Sequence, residues 1–191
     1  MIIFYILGYA IIAGFFIIER YVRKGKDTKN MSRTESDKGS TTLISIVMGI
    51  AFILIFISPV LDYFKIGGIY IVWVRCFGVL LGAGGLVIRY AAFSTLGRFF
   101  TRILREAENH ELVTNGIYKY IRHPGYLSDI MIFIGASMAM GNLICIIVIL
   151  ISFVIAYTYR IKAEEKMLIG IFGEKYVQYQ KTSKKLIPFI Y

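Results

Sequence analysis

TTLISIVMGIAFILIFISPVL, residues 41–61, is a continuous apolar run without one charged side chain. It is long enough as a helix to cross about 30 Å of hydrocarbon. Its only irregularity, Ser58-Pro59, lies near the end, where proline is tolerated in a membrane helix. Two similar runs flank it. Ile2 to Ile18 carries no charge until Glu19-Arg20 closes it, and Ile71 to Ala92 follows. Leu127 to Ala139 and Leu143 to Tyr159 form another pair, split by the turn signal Met140-Gly141-Asn142. The first run has neither a basic leader nor a small-residue cleavage site, so it reads as a retained anchor. A composition that is 57% hydrophobic over 191 residues, with a mean hydropathy of +0.66, exceeds what a soluble core needs. The expected fold is an all-α integral membrane bundle of about five transmembrane helices, the last two a tight hairpin.

Charge makes the topology readable. The net charge is +10, and nearly all of the 22 Lys and Arg fall in three segments: 19–40, 93–126 and the tail from 160. By the positive-inside rule those segments and the C terminus are cytoplasmic, and the N terminus is outside. Such basic edges attract anionic headgroups, and no aromatic-interleaved module for nucleic acid is present. Tyr63, Tyr70 and Trp73 suit an aromatic belt at the opposite boundary, and Arg75 would snorkel there. Within the third run, Gly78 and Gly82 stand four apart on an apolar helix. That spacing predicts close helix packing rather than a nucleotide-binding turn, because no strand precedes LGAGG. Cys76 and Cys145 lie in different runs and read as packing residues. His110 and His123 lack a third ligand at a recognised spacing, so no metal is expected. Segment 19–40 reads as a polar connector.

Two polar motifs bracket the hairpin: HELVTNGIYKYIRHPGY (110–126) and RIKAEEKMLIGIFGEKYVQY (160–179). Polar groups at a membrane edge are costly unless they build a site. Pro124 forces His123 toward extended backbone and suits the first helical turn, so the fourth helix should start here. Its first-turn amides then offer donors and a positive dipole end to a ligand. Alone, this motif reads sooner as a helix cap with interfacial tyrosines than as a site. In the second, Tyr157, Arg160 and Glu164 fall on one helical stripe, with Glu165 rotated about 100° away. Phe172, Tyr176 and Tyr179 also recur with helical spacing, which suits a helix lying on the headgroup layer and lidding the site. Asp129 receives no assignment: it is either a polar contact at the site's floor or a partner for Arg122.

The pattern HxLVTxGxYxxxRHPxY, then Arg160 with Glu164-Glu165, FGxxYxxY and a terminal proline, resembles the isoprenylcysteine carboxyl methyltransferase family over roughly residues 94–191. The resemblance implies S-adenosylmethionine as cofactor, bound by a cytoplasmic C-terminal segment. It implies that His110, Glu111, Leu112, Val113, Tyr118, His123, Pro124, Gly125, Tyr126 and Glu164 contact that cofactor and that Arg160 meets the substrate. It also implies division into a helical region 1–93 and a methyltransferase core 94–191. Five helices resemble the shorter prokaryotic form, hence a prokaryotic cytoplasmic membrane. The acceptor would be a lipophilic carboxylate, phenolate or thiolate arriving from the lipid bilayer, with no obvious general base. RHPGYLSDI and LIPFIY also resemble the end of membrane sterol reductases that use NADPH, but Glu164-Glu165 before FGxxYxxY fits methyl transfer better. A third reading is a non-catalytic membrane subunit.

Overall fold

The computed structural model describes residues 1–23, 32–33, 39–97, 105–106 and 112–187. Among these, six α-helices follow one another: α1 (Ile2–Arg23), α2 (Ser40–Tyr63), α3 (Val72–Leu96), α4 (Pro124–Met140), α5 (Leu143–Phe172) and α6 (Glu174–Thr182). A short 3-10 turn, Gly116–Lys119, precedes α4. Besides the helices there is a two-residue antiparallel pair, β1 (Ser32–Arg33) with β2 (Arg105–Glu106). Helices α1, α2, α3 and α5 are long and apolar enough to cross a membrane, and α4 is an apolar helix of 17 residues. The chain is an all-α integral membrane protein. Most of the connector 24–38 lies outside the described residues.

Burial is arranged as in a membrane bundle. Large apolar side chains such as Ile53, Phe56, Leu80 and Val87 face outward, exposed on the helix surfaces that meet lipid. The interior is a knot of rings, with Phe133 of α4 packed against Phe15, Phe52 and Phe153 from three other helices. Lipid is as apolar as leucine, so helices associate through close packing rather than hydrophobic exclusion. The glycines provide it. A Cβ on Gly78 would sit 2.5 Å from the Ala139 amide nitrogen, and one on Gly85 would sit 2.9 Å from that of Ile132. From the other side, a Cβ on Gly135 would strike the Gly82 main chain. Helices α3 and α4 therefore touch backbone to backbone, as the four-residue spacing predicts.

The hairpin forms at the expected turn. Gly141, at φ +73°, ends α4, and its N–H donates to the carbonyls of Ser137 and Met138. Asn142 then caps α5 by accepting from the Cys145 amide at 3.1 Å, while its Nδ2 donates to the Ile66 carbonyl. Tyr63, Tyr70 and Trp73 are exposed, as a boundary belt requires. Cys76 and Cys145 are free.

The buried charges differ from expectation. Arg75 does not snorkel. It is 0% exposed, donates from Nε to the Ile69 carbonyl at 3.0 Å, and lies 3.5 Å from Asp62, which also accepts from the Tyr5 hydroxyl. A carboxylate on the neighbouring helix gives the buried guanidinium a counter-charge inside the bundle. At the other end α1 runs past its expected stop at Ile18, because Glu19 turns inward to pair with Arg89 of α3.

Candidate functional site

Both motifs arrive at the end of the bundle where α3 stops, α4 starts and α5 projects. Leu112 and Val113 lead in half-buried and outside any helix or strand, with Val113 packed beside Phe93 and Tyr118. Gly116 takes φ +55°, which allows the chain to turn beneath Thr95. Tyr118 is buried, and its carbonyl accepts from the Tyr179 hydroxyl at 2.5 Å. Next the chain pairs with its own tail. The Arg122 amide donates to the Lys184 carbonyl at 2.8 Å, the His123 amide to Lys185 at 3.0 Å, and the Lys184 amide to Tyr120 at 3.0 Å. Pro124 then opens α4 with His123 as N-cap.

The His123 side chain makes no capping bond. Its ring stacks on Tyr126, with centroids 5.5 Å apart and planes inclined by 12°. Tyr126 stacks in turn on Tyr157, at 4.8 Å and 23°. On one side of the stack stand both glutamates: His123 Nδ1 is 3.7 Å from Glu164 Oε2, and Nε2 is 3.4 Å from Glu165 Oε1. The Tyr126 hydroxyl is the junction. It donates to Glu164 Oε2 at 2.5 Å and accepts from Arg160 Nε at 3.1 Å. Arg160, 2% exposed, also reaches the start of α2, with Nη1 at 2.9 Å from both Ser40 Oγ and Thr41 Oγ1. Glu164 keeps a quarter of its side chain exposed, so its carboxylate is within reach of a ligand.

The structure thus brings Tyr118, His123, Pro124, Gly125, Tyr126, Arg160 and Glu164 to one end of the bundle. His110 and Glu111 lie outside the described residues. Glu165, set apart from the stripe in the sequence reading, proves to be the anchor of the C-terminal segment. It accepts from Arg122 Nε at 2.9 Å and lies 3.8 Å from Lys185 Nζ. Arg122 also donates through Nη1 to the carbonyls of Gln180 and Ser183. Arg122 pairs with Glu165, and Asp129 with Arg89 and Tyr157. The adjacency of Arg122 to His123 and of Glu165 to Glu164 was the available signal. The hydroxyls of Ser40 and Thr41, far away in sequence, left none.

One expectation is corrected at α6. Gly173, at φ +55°, breaks the helix after Phe172, and Tyr176 and Tyr179 then turn inward rather than onto the headgroup layer. The reason is the carbonyl of Tyr118, which offers the Tyr179 hydroxyl a buried acceptor. Burial pushes the Tyr179 phenol up to about 12, against the opposing pull of Ser183 and Arg122. Burial, seconded by Glu164 for Tyr118 and by Glu165 for Tyr176, raises those two phenols further. All three stay neutral near neutral pH.

Residues 78–170 match the family model of the isoprenylcysteine carboxyl methyltransferase family. The chain is similar to the protein-S-isoprenylcysteine O-methyltransferase of Xenopus laevis, 33% identical over 63% of this chain and 42% of that protein. It is similar to protein-S-isoprenylcysteine O-methyltransferase A of Arabidopsis thaliana, 32% identical over 62% of this chain and 61% of that protein. The aligned region therefore spans less than two thirds of either relative. A solved structure of a eukaryotic intramembrane Ras methyltransferase, an isoprenylcysteine carboxyl methyltransferase, superposes with a TM-score of 0.64 and 29% identity, covering 77% of this chain and 52% of that one.

Proposed function

We propose that this chain, whose residues 78–170 match the model of the isoprenylcysteine carboxyl methyltransferase family, transfers a methyl group from S-adenosylmethionine to an anionic oxygen or sulfur of a lipophilic acceptor. The observation that carries the reading is the Tyr126 hydroxyl, which joins the first motif to both Glu164 and Arg160 of the second, more than thirty residues away.

The residues present fit the cofactor. It has a cationic sulfonium, an ammonium and a carboxylate, and supplies an electrophilic methyl carbon whose bond to sulfur breaks as the acceptor's lone pair forms its own. Glu164, partly exposed, holds the ammonium. The first-turn amides of α4 at Gly125 and Tyr126 have no acceptor within the helix and suit the carboxylate. Room exists there: a Cβ on Gly125 would meet no described heavy atom closer than 3.9 Å. With Tyr126 stacked between His123 and Tyr157, the His123 face turned away from it is the π face left for the sulfonium. Leu112, Val113 and Tyr118 supply an apolar wall, with His110 and Glu111 completing the same motif.

Arg160 takes the acceptor. An acceptor carboxylate entering from the bilayer would replace the Ser40 and Thr41 hydroxyls as partners of the guanidinium. It would remain ionised and aligned for attack. An acceptor that is already an anion needs no general base, so alignment and exclusion of water supply most of the acceleration. The names of the relatives favour a prenylated cysteine carboxylate as the first acceptor to assay. The basic segments favour a cytoplasmic position for this end of the bundle with the N terminus outside, and the likeness to the shorter, five-helix form favours a prokaryotic membrane.

The test is a thermal-shift titration of the detergent-purified chain with S-adenosylmethionine, S-adenosylhomocysteine and NADPH in parallel. Stabilisation by both sulfur nucleosides and not by NADPH is expected. Stabilisation by NADPH alone would select a reductase, and silence from all three a non-catalytic subunit. Transfer of labelled methyl to an S-prenylcysteine then tests the acceptor.

A further inference from the structure

Beneath the site lies a buried polar assembly that the methyl-transfer scheme does not use. Glu19 of α1, Arg89 of α3 and Asp129 of α4 meet inside the bundle, all more than nine-tenths buried. Arg89 pairs with Glu19 through Nη2 and with Asp129 through Nη1. Its guanidinium carbon lies 4.2 Å from the Phe15 ring centroid and 4.5 Å from that of Phe93. One carboxylate would neutralise this arginine. A second, desolvated in the same place, is a cost that packing alone does not explain.

The far oxygen of Asp129 has a separate task. While Oδ1 faces Arg89, Oδ2 accepts from the Tyr157 hydroxyl at 2.7 Å. Tyr157 is buried, touches Phe153 edge-on at 5.4 Å, and carries Tyr126 stacked on its face. Stacked rings are held apart but slide easily in their own plane. A hydrogen bond at the rim of the lower ring removes that freedom, and the upper ring bears the hydroxyl between Glu164 and Arg160.

We propose that Asp129 is a positioning residue. Held by Arg89, it fixes the phenol of Tyr157 and through the stacked ring sets where the Tyr126 hydroxyl stands. The inference rests on the methyl-transfer reading for the identity of the ligand that the junction serves.

The test is calorimetric titration of the full chain in detergent with S-adenosylhomocysteine, with melting temperature recorded alongside. Tyr157→Phe keeps the ring, its stack and the Asp129–Arg89 pair, and removes only the hydroxyl. Affinity should fall roughly three- to tenfold, the net scale of one ordinary hydrogen bond, because the lost hydroxyl acts on the ligand only through the stacked ring. In a Tyr126→Phe background the same change should have almost no effect, since no hydroxyl is left to place. Asp129→Asn should follow Tyr157→Phe in affinity and melt lower as well. Unchanged affinity in Tyr157→Phe, or an equal loss in both backgrounds, would overturn the proposal and make the trio a helix clamp only. A folded wild-type chain that does not bind S-adenosylhomocysteine would instead sink the methyl-transfer reading, and this inference with it.

Discussion

Replacing Gly135 by alanine tests the packing that carries the site. The new methyl would lie 2.7 Å from the Gly78 carbonyl oxygen and from the Gly82 Cα, both main-chain atoms that no rotamer change can withdraw. Ordinary contact begins at 3.4 Å and the Gly82 amide nitrogen would be closer still, so α3 and α4 must part by at least about 0.7 Å at that level. Forcing an extra carbon into a filled interior costs about 1–3 kcal/mol. In a membrane the loosened seam also loses the dispersion contacts that hold helices together, including those around Gly85 and Ile132. Against this, alanine is favoured over glycine within a helix by about 1 kcal/mol. The net expectation is a destabilisation of about 1–2 kcal/mol. Gly49→Ala is the control, because a Cβ there meets nothing within 4 Å and only the propensity gain remains. Thermal denaturation of both variants in one detergent at one scan rate should move in opposite directions. If Gly135→Ala melts at or above the wild type, or Gly49→Ala falls as far, the backbone-contact argument is wrong.

Arg122→Ala should cost about 3 kcal/mol, since a buried ion-pair partner is lost and Glu165 stays behind. Trypsin should then cleave sooner at Lys181, Lys184 and Lys185. Because burial raises the Tyr179 phenol from its ordinary 10.0 to about 12, the stability it contributes is complete below pH 10 and is lost as pH rises toward 12. Alkaline titration should show its tyrosinate absorbance rising only together with release of the C-terminal segment. Glu164→Ala should weaken S-adenosylhomocysteine binding roughly tenfold, whereas Arg160→Lys should leave it nearly intact and lower turnover of an S-prenylcysteine by a similar factor. Equal effects of the two on both readouts would contradict the division of labour between them.

What the chain's order of residues reveals follows from what lipid demands. Hydrocarbon tolerates no unpaired backbone, so every crossing must be a long apolar helix, and α2 ends within a residue or two of the span read from Thr41 to Leu61. The α3 seam was legible for a related reason, since only glycine at four-residue spacing permits such an approach. The stripe from Tyr157 to Glu164 and the helix start at His123-Pro124 were also readable, being local geometry. Partners were not. Helical periodicity says which face a residue occupies but not what stands opposite, so Arg75 looked like a residue reaching for water and Asp129 had two candidate roles. Glu19, Arg89 and Asp129 were visible as charges beside or within apolar runs, and only three dimensions show them sharing one guanidinium. The pairing of the tail with residues 120–123 lay equally out of reach, because backbone hydrogen bonds carry no side-chain signature.

The shortness of α4 has a consequence for selectivity. Seventeen residues rise about 25 Å, against about 30 Å of hydrocarbon, so the helix bearing His123 and Tyr126 falls short of the full membrane depth. An amphiphile reacting at a recessed ledge dips its head instead of lifting its tail. Each methylene left in the oil saves about 0.8 kcal/mol that extraction would cost. Discrimination among such molecules would then rest on the head and its first few carbons, with chain length almost invisible to the site.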